Sequence, residues 1–172
     1  MNRISFFCLL ILFFSNSGQA EVVKTQPGYF EVQIEHQIKT SSTDLQNKLL
    51  DIAQWWSAGH TYSGDSDNLF VDIDTLRCFC EKLDDGGFVS HLKLINYQPR
   101  QLMRFSGGLG PLQSLLVNGV MDISLRPLAE DKTMLLLNYR VSSNVENIKK
   151  WAGPVDQVLR EQLRRLKSLT ER

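Results

Sequence analysis

Residues 145–169 read VENIKKWAGPVDQVLREQLRRLKSL, and this stretch decides the fold of the chain. Its apolar residues recur with the period of about 3.6 residues that is typical of an amphipathic helix. They form one wide stripe, which comprises Ile148, Trp151, Ala152, Val155, Val158, Leu159, Leu163, Leu166 and Leu169. The pattern predicts a helix of about 35–38 Å at 1.5 Å per residue. Such a helix needs an equally long apolar surface to pack against.

The chain upstream of this helix has the alternating pattern of strands. Between Phe30 and Ile38, apolar and polar residues alternate, as in a strand with one buried face. Residues 40–44 offer Ser, Thr and Asp side chains that can cap a short helix, which ends near Trp56. Further strands are predicted over residues 69–73, 76–83, 88–97, 101–106, 115–126 and 132–142. The sequence therefore predicts an α+β fold, in which a curved antiparallel sheet wraps around the long C-terminal helix and short helices follow strand one.

The first 20 residues have the composition of a secretory signal peptide. Arg3 supplies the positive start, residues 4–14 form the apolar segment, and Gly18 and Ala20 are the small residues before the cut. The apolar segment is shorter than the roughly 20 residues that span a bilayer. We therefore expect residues 1–20 to be removed and residues 21–172 to form a single domain that is periplasmic or secreted. An uncleaved membrane anchor is the alternative.

The charge of the chain argues against two classes of partner. Without Arg3, 18 basic and 19 acidic residues remain, so the formal net charge is −1. This balance offers no basic surplus that could bind nucleic acid or an anionic membrane. The sequence has no second apolar run of membrane-spanning length, so we expect no transmembrane segment after the signal peptide is removed.

Two cysteines remain beyond the signal peptide, Cys78 and Cys80. An oxidising export compartment favours disulfides. However, alternate residues of an extended strand have Cα atoms about 6.5–7 Å apart, at or beyond the usual disulfide range. We therefore expect two buried free thiols. A strained, redox-active disulfide and metal binding are the alternatives.

Residues 55–69, WWSAGHTYSGDSDNL, have no regular period and predict an ordered loop rich in aromatic side chains. Loops held by a rigid scaffold often carry binding residues. We expect this loop to line or cover the opening of a pocket, together with a histidine of the middle strand and the centre of the helical stripe. The candidate ligand-binding residues are Trp55, Trp56, His60, Tyr62, His91, Trp151 and Val155.

The histidines and acidic residues show no established catalytic or metal-binding spacing. HExxH and paired CxxC patterns are absent from the sequence, so no metal site, no cofactor and no catalytic set is predicted. Strand alternation places His36 on the apolar face of strand one, and His91 on one face with Val89 and Ile95. It places Glu81 with Arg77, opposite the cysteines. A surface contact of that pair is favoured, and a pocket ion pair that orients a ligand is the alternative.

Four segments carry a resemblance to a known superfamily. They are HTYSGD at 60–65, CFCE at 78–81, GGLGPLQ at 107–113 and VDQVLREQLRRLK at 155–167. With the order of predicted elements, they resemble a bacterial exported subgroup of the SRPBCC superfamily, whose START-like domains have the helix-grip fold. The resemblance covers residues 26–169. It implies an internal cavity, because members bind lipids, sterols or polyketides, cyclise polyketides, or act as co-chaperone modules.

Three functional hypotheses follow from the pattern and the resemblance. The first is an exported protein that binds a hydrophobic or amphipathic small molecule or lipid in an internal cavity. The second is an enzyme of cyclase or isomerase type that uses His60 or His91 as a general base. The third is a module whose aromatic loop contacts another envelope protein.

The signal peptide should be cut between Ala20 and Glu21 when the full chain is expressed in a bacterium with its export machinery. N-terminal sequencing of the protein from the envelope should then begin at Glu21. Recovery of an intact Met1 in the membrane fraction would contradict this prediction and support the anchor.

Overall fold

The computed structural model describes residues 21–172, and the predicted signal peptide lies outside the described residues. These residues form an α+β fold with one open, antiparallel sheet of eight strands and a long C-terminal helix. The strands are β1 (Glu21–Gln26), β2 (Tyr29–Ile38), β3 (Leu69–Asp72), β4 (Cys78–Lys82), β5 (Phe88–Gln98), β6 (Leu102–Ser106), β7 (Asn118–Ala129) and β8 (Lys132–Ser142). The helices are α1 (Ser42–Leu50) and α2 (Ala152–Thr170). The order of the strands in the sheet is β1-β2-β8-β7-β6-β5-β4-β3.

The middle of the sheet follows the predicted alternation. In β2 and β8, inward residues such as Val32 and Tyr139, or Ile34 and Leu137, lie opposite each other and are buried. The residues between them face outward, where Asp122 of β7 pairs with Arg104 and Arg140 of the neighbouring strands at 2.6–3.0 Å. One face of the sheet therefore builds the core and packs against α1 and α2.

The sequence prediction missed β1. The segment EVVKTQ is short and lacks a clean alternation, but it pairs with β2 across the turn at Pro27–Gly28. Gly28 has a positive φ of 74°, which favours glycine. The predicted short helix is present as α1, where the Ser41 hydroxyl accepts a hydrogen bond from the Asp44 N–H at 3.1 Å. It ends at Leu50 and not near Trp56, because the chain leaves the α-helix at Asp51 and forms a separate 3₁₀ turn over Ile52–Gln54.

Helix α2 begins later than its apolar stripe predicts. The prediction placed the start at Val145, but Asn147 adopts a left-handed conformation with φ of 65°, and Ile148–Trp151 form a 3₁₀ turn. The α-helix runs over 19 residues from Ala152, which is about 28 Å at 1.5 Å per residue. Its buried residues are Ala152, Leu159, Gln162, Leu163 and Leu166.

The two cysteines form a disulfide, so the expectation of free thiols is wrong. Their Cα atoms are 5.5 Å apart, inside the usual range for a disulfide and shorter than a straight strand allows. Strand β4 bends here beside an irregularity in its neighbour. Phe79 lies opposite Leu92 and Cys80 lies opposite Ser90, so His91 is an extra residue of β5, a β-bulge.

Among residues 21–172, no helix is both long and apolar enough to cross a membrane.

A close approach of two backbone segments fixes one end of the sheet. The N–H of Gly107 donates to the carbonyl of Gly119 at 2.9 Å. A Cβ atom added to Gly119 would lie 2.1 Å from the Gly107 carbonyl oxygen, which belongs to backbone and cannot rotate away. Gly119 therefore has to be a glycine for residues 107–110 to keep their place.

Replacing Gly119 by Ala should destabilise the fold by about 3 kcal/mol or more, because overpacking against backbone forces the chain apart. Thermal melting should show a fall of about 6–12 °C at this chain length. Gly153→Ala is the matched control, since nothing lies within 4 Å of its added Cβ. In the first turn of α2 it should leave stability equal or slightly higher. Equal melting temperatures for the two variants would contradict the close approach of Gly107 to Gly119.

Candidate functional site

A pocket of about 400 Å³ opens at one end of the sheet. Its walls come from the loop between α1 and β3, from the segment around Pro111, and from the N-terminal half of α2. Most of its lining is apolar or aromatic. We call it the rim pocket, and its lining residues are Trp56, Gly59, His60, Thr61, Tyr62, His91, Leu109, Gly110, Pro111, Leu112, Trp151, Pro154, Val155 and Val158.

Six of the seven candidate binding residues line the rim pocket. They come from three separate parts of the chain and are Trp56, His60, Tyr62, His91, Trp151 and Val155. The seventh, Trp55, lies in the core instead, where its indole N–H donates to the Lys48 carbonyl at 2.9 Å. The structure thus brings the sequence-derived set together, except for one of the two adjacent tryptophans.

The space between sheet and helix is nearly filled. A void of about 30 Å³ remains there, bordered by Trp55, Phe79, Leu163 and other core residues. This volume is about the size of two water molecules. The larger space thus lies at the rim, beside the first turns of α2, and not between sheet and helix, where the resemblance implied an internal cavity.

The aromatic loop is tied to α2 by hydrogen bonds. The Ser57 N–H donates to the Gln162 side chain at 2.7 Å, and Arg165 donates to the Trp55 carbonyl at 2.8 Å. The indole N–H of Trp56 donates to the His60 carbonyl at 2.9 Å, which closes the turn at residues 58–60. At the outer rim, His60 lies 3.3 Å from Glu161. These bonds hold the loop as a wall of the pocket.

A buried carboxylate lies behind this wall. Glu81 is fully buried, and its two oxygens accept hydrogen bonds from the backbone N–H groups of Tyr62 and Ser63. The ring of His91, which is only 4% exposed, places Nε2 at 2.9 Å from the same carboxylate. The favoured prediction of a surface contact between Arg77 and Glu81 is therefore wrong, because Arg77 is exposed while Glu81 faces inward.

The bulge in β5 explains how His91 reaches Glu81. Alternation placed His91 with Val89 and Ile95, but β5 has register shifts at both His91 and Ile95. As a result Ile95 is exposed, while the His91 ring lies 4.7 Å from the Phe79 ring and 5.7 Å from the Tyr62 ring. Bulges re-aim side chains in this way. The sequence signal that was available is the acidic Glu81 within an otherwise apolar CFCE segment.

The environment sets the charges of the pair. Burial lowers the pKa of His91 and outweighs the opposing effect of Glu81, so the imidazole is neutral at pH 7. Burial raises the pKa of Glu81, but the N–H groups of Tyr62 and Ser63 and the His91 ring outweigh it and lower that pKa below its ordinary value. A carboxylate only accepts hydrogen bonds. The neutral His91 therefore carries its proton on Nε2.

The opposite wall is fixed by a buried hydroxyl. The Tyr139 hydroxyl donates to the Gly107 carbonyl at 2.9 Å and accepts from the Leu109 N–H at 3.0 Å. Burial raises the pKa of Tyr139 to about 12, so the hydroxyl keeps its proton. The Gln113 side chain also donates to the carbonyls of Ser90 and His91, at 2.8 and 3.2 Å. The glycine-rich segment is thus joined to the strand that carries His91.

His36 lies apart from the pocket, on the core face of β2. Its Nε2 atom is buried and has no hydrogen-bond partner in the part of the chain that the structure describes. Burial, with a smaller effect of Lys167 and Arg160, lowers its pKa. Within residues 21–172, no three His, Cys, Asp or Glu side chains are grouped so that they could hold a metal ion.

Comparison with known proteins gives a fold but no family. No family model and no curated protein matches the sequence. A conserved protein of unknown function from Enterococcus faecalis has a TM-score of 0.59 at 12% identity, over 90% of this chain and 77% of that one. The Aha1 dimer from Colwellia psychrerythraea gives 0.56 at 14%, over 82% and 96%. DynU16, from the dynemicin biosynthetic locus, gives 0.55 at 17%, over 80% and 46%.

Acidification should destabilise the protein, because His36 and His91 bind a proton less readily in the folded protein than in the unfolded chain. Both folded-state pKa values lie below the ordinary 6.5, so the unfolded state binds more protons as the pH falls through this value. Thermal melting between about pH 8 and about pH 5 should show a falling melting temperature. His36→Phe and His91→Phe should each make this fall shallower. A melting temperature that rises on acidification would contradict the assignment.

Proposed function

We propose that the chain is an exported protein of the SRPBCC helix-grip type, with one domain over residues 21–172 that binds a hydrophobic or amphipathic small molecule. The observation that carries this proposal is the rim pocket. Its volume of about 400 Å³ falls in the range of about 300–1,000 Å³ that is usual for ligand sites. Its lining combines apolar walls with a few fixed polar groups, which is the usual composition of such sites.

The aromatic side chains suit an amphipathic ligand. Trp56 and Trp151 offer large flat surfaces, and Tyr62 is 55% exposed at the opening. An exposed aromatic beside a pocket gives packing area together with a polar group that stays in contact with water. The part of the chain that the structure describes contributes no Lys or Arg to the pocket lining, which agrees with an apolar ligand.

Two further observations support export and a small-molecule role. The disulfide between Cys78 and Cys80 suits the oxidising compartments outside the cytosol, in keeping with the signal-peptide pattern of residues 1–20. DynU16, which shares the fold, belongs to a biosynthetic locus. A fold shared at such low identity is an analogy, so the argument for binding rests on the pocket.

The Glu81–His91 pair favours a second candidate, an enzyme in which His91 is the general base. A neutral imidazole oriented by a carboxylate is a common arrangement for proton abstraction. The two candidates differ in what leaves the pocket. Mass spectrometry of the molecules retained by protein purified from the envelope should return an unchanged compound for a binding protein, and a substrate–product pair for an enzyme.

Filling the pocket should weaken binding and preserve the fold. Val155 is half-buried on α2 and faces the pocket, so Val155→Trp should weaken the binding of the neutral fluorophore N-phenylnaphthylamine about tenfold or more. Gln157→Trp, on the exposed side of the same helix, is the control and should bind normally.

Leu163→Ala gives the converse case. Leu163 borders the small core void, so the variant should lose about 2–5 kcal/mol of stability and keep most of its affinity for the fluorophore. If Val155→Trp lowers the melting temperature as much as Leu163→Ala does, the space beside Val155 is packed core and the proposal fails.

A further inference from the structure

The Glu81–His91 pair leaves one hydrogen-bonding atom without a partner. Nε2 of His91 is taken by Glu81 at 2.9 Å, whereas Nδ1 makes no hydrogen bond to any residue from 21 to 172. His91 is 4% exposed and contributes to the lining of the rim pocket. Unlike Nε2 of His36, Nδ1 of His91 is not fully buried, so on this nearly buried side chain it is accessible from the pocket that His91 lines. An unpartnered nitrogen at the wall of a pocket indicates a place for a ligand group, because polar atoms inside a fold are usually hydrogen-bonded.

We propose that Nδ1 of His91 accepts a hydrogen bond from the ligand, so the rim pocket selects neutral amphipathic molecules that carry a hydroxyl or N–H donor at their buried end. This inference rests on the proposed function and narrows it to a chemical class. Glu81 is then a positioning residue, which acts through His91 and does not contact the ligand.

The hydrogen bonds of Glu81 decide which ring nitrogen can accept. Its carboxylate already receives the N–H groups of Tyr62 and Ser63, and it accepts a third hydrogen from His91. An ionised carboxylate cannot donate, so the imidazole has to present N–H at Nε2. A neutral imidazole with its proton on Nε2 has a lone pair on Nδ1. The donor must therefore come from the ligand.

The charges around the pocket disfavour anionic ligands. Within residues 21–172, no Lys or Arg side chain lines the rim pocket, and the imidazole of His60 at the opening faces Glu161 at 3.3 Å. The Glu81 carboxylate lies directly behind His91. A carboxylate ligand would have to bury its charge without a cationic partner, which is costly. An alcohol has no charge to bury, and its hydroxyl can donate a hydrogen bond to Nδ1.

Three probes of matched size separate these cases. Decanol has a hydroxyl donor, its isomer methyl nonyl ether has an acceptor only, and decanoate carries a negative charge at neutral pH. Their affinities can be measured by displacement of N-phenylnaphthylamine. For the unaltered protein, decanol should bind about three- to tenfold more tightly than the ether, the effect of one hydrogen bond, and decanoate should bind more weakly than decanol.

His91→Phe tests the atom itself. It keeps an aromatic ring of similar size, so affinity for the ether should stay, while the preference for decanol should disappear. His36→Phe is the control, because it removes a histidine that does not line the pocket, and should keep the preference. In Glu81→Gln, the amide can donate to Nε2 and move the ring proton to Nδ1, so the preference for decanol should fall.

Nitrogen NMR of the unaltered protein gives a readout that needs no variant. Free protein should show the His91 proton on Nε2, and decanol should shift the Nδ1 resonance while the ether leaves it in place. A proton on Nδ1 in the free protein, or equal affinity for decanol and the ether, overturns the inference while binding itself stands. Failure of all three probes and the fluorophore to bind overturns the proposed function as well.

Discussion

The burial of one carboxylate, that of Glu81, constrains the whole functional end of the molecule. A buried ion without partners would cost several kcal/mol, so the fold has to supply donors on every side. Two of them are backbone N–H groups of the aromatic loop, at Tyr62 and Ser63, and the third is the ring of His91. Glu81 therefore fixes the course of the loop and the orientation of the imidazole together. The wall of the rim pocket and its polar atom follow from the same charge.

The opposite wall depends on a second buried polar group in a similar way. The Tyr139 hydroxyl has no access to water, and its donor and acceptor capacities are both used by the segment from Gly107 to Leu109. Gly119 leaves the space that the Gly107 carbonyl occupies. The Gln113 side chain also donates to the His91 carbonyl. This hydrogen bond connects the wall built by the glycine-rich segment to the wall that carries His91. Such a frame suits a site that is preformed before a ligand arrives.

Periodicity predicted most of the fold, since it reports burial along regular elements. The alternation of β2 and β8 and the stripe of α2 were strong signals, and the corresponding elements are present. The start of α2 was placed too early, because a left-handed Asn147 is a backbone property that an apolar pattern does not reveal. Strand β1 was missed because it depends on pairing with β2, and the residues of β1 alone show no pattern that indicates this pairing.

The sequence named several of the residues that line the rim pocket, but not how they are arranged. Aromatic composition singled out the loop, and six of the seven candidate residues, three of them in this loop, line one pocket. The predicted distance between Cys78 and Cys80 and the predicted direction of the His91 side chain assumed straight strands. A bend in β4 shortens the distance, and a bulge in β5 turns the side chain. The bend and the bulge depend on contacts between strands, which the pattern of a single strand does not show. Glu81 was placed on the correct strand face, but alternation could not tell which face is interior.

Residues that border both the core void and the rim pocket affect stability and binding together, whereas residues that border the pocket alone can affect binding without stability. Trp56 and Leu109 border both the 30 Å³ void and the 400 Å³ pocket, so their side chains form the partition between them. A change at either residue alters the packing of the core and the shape of the pocket together. Val155, Pro111 and Tyr62 border the pocket alone. Variation at these three positions can change the ligand at little cost in folding, because close packing is required only on the core side of the partition.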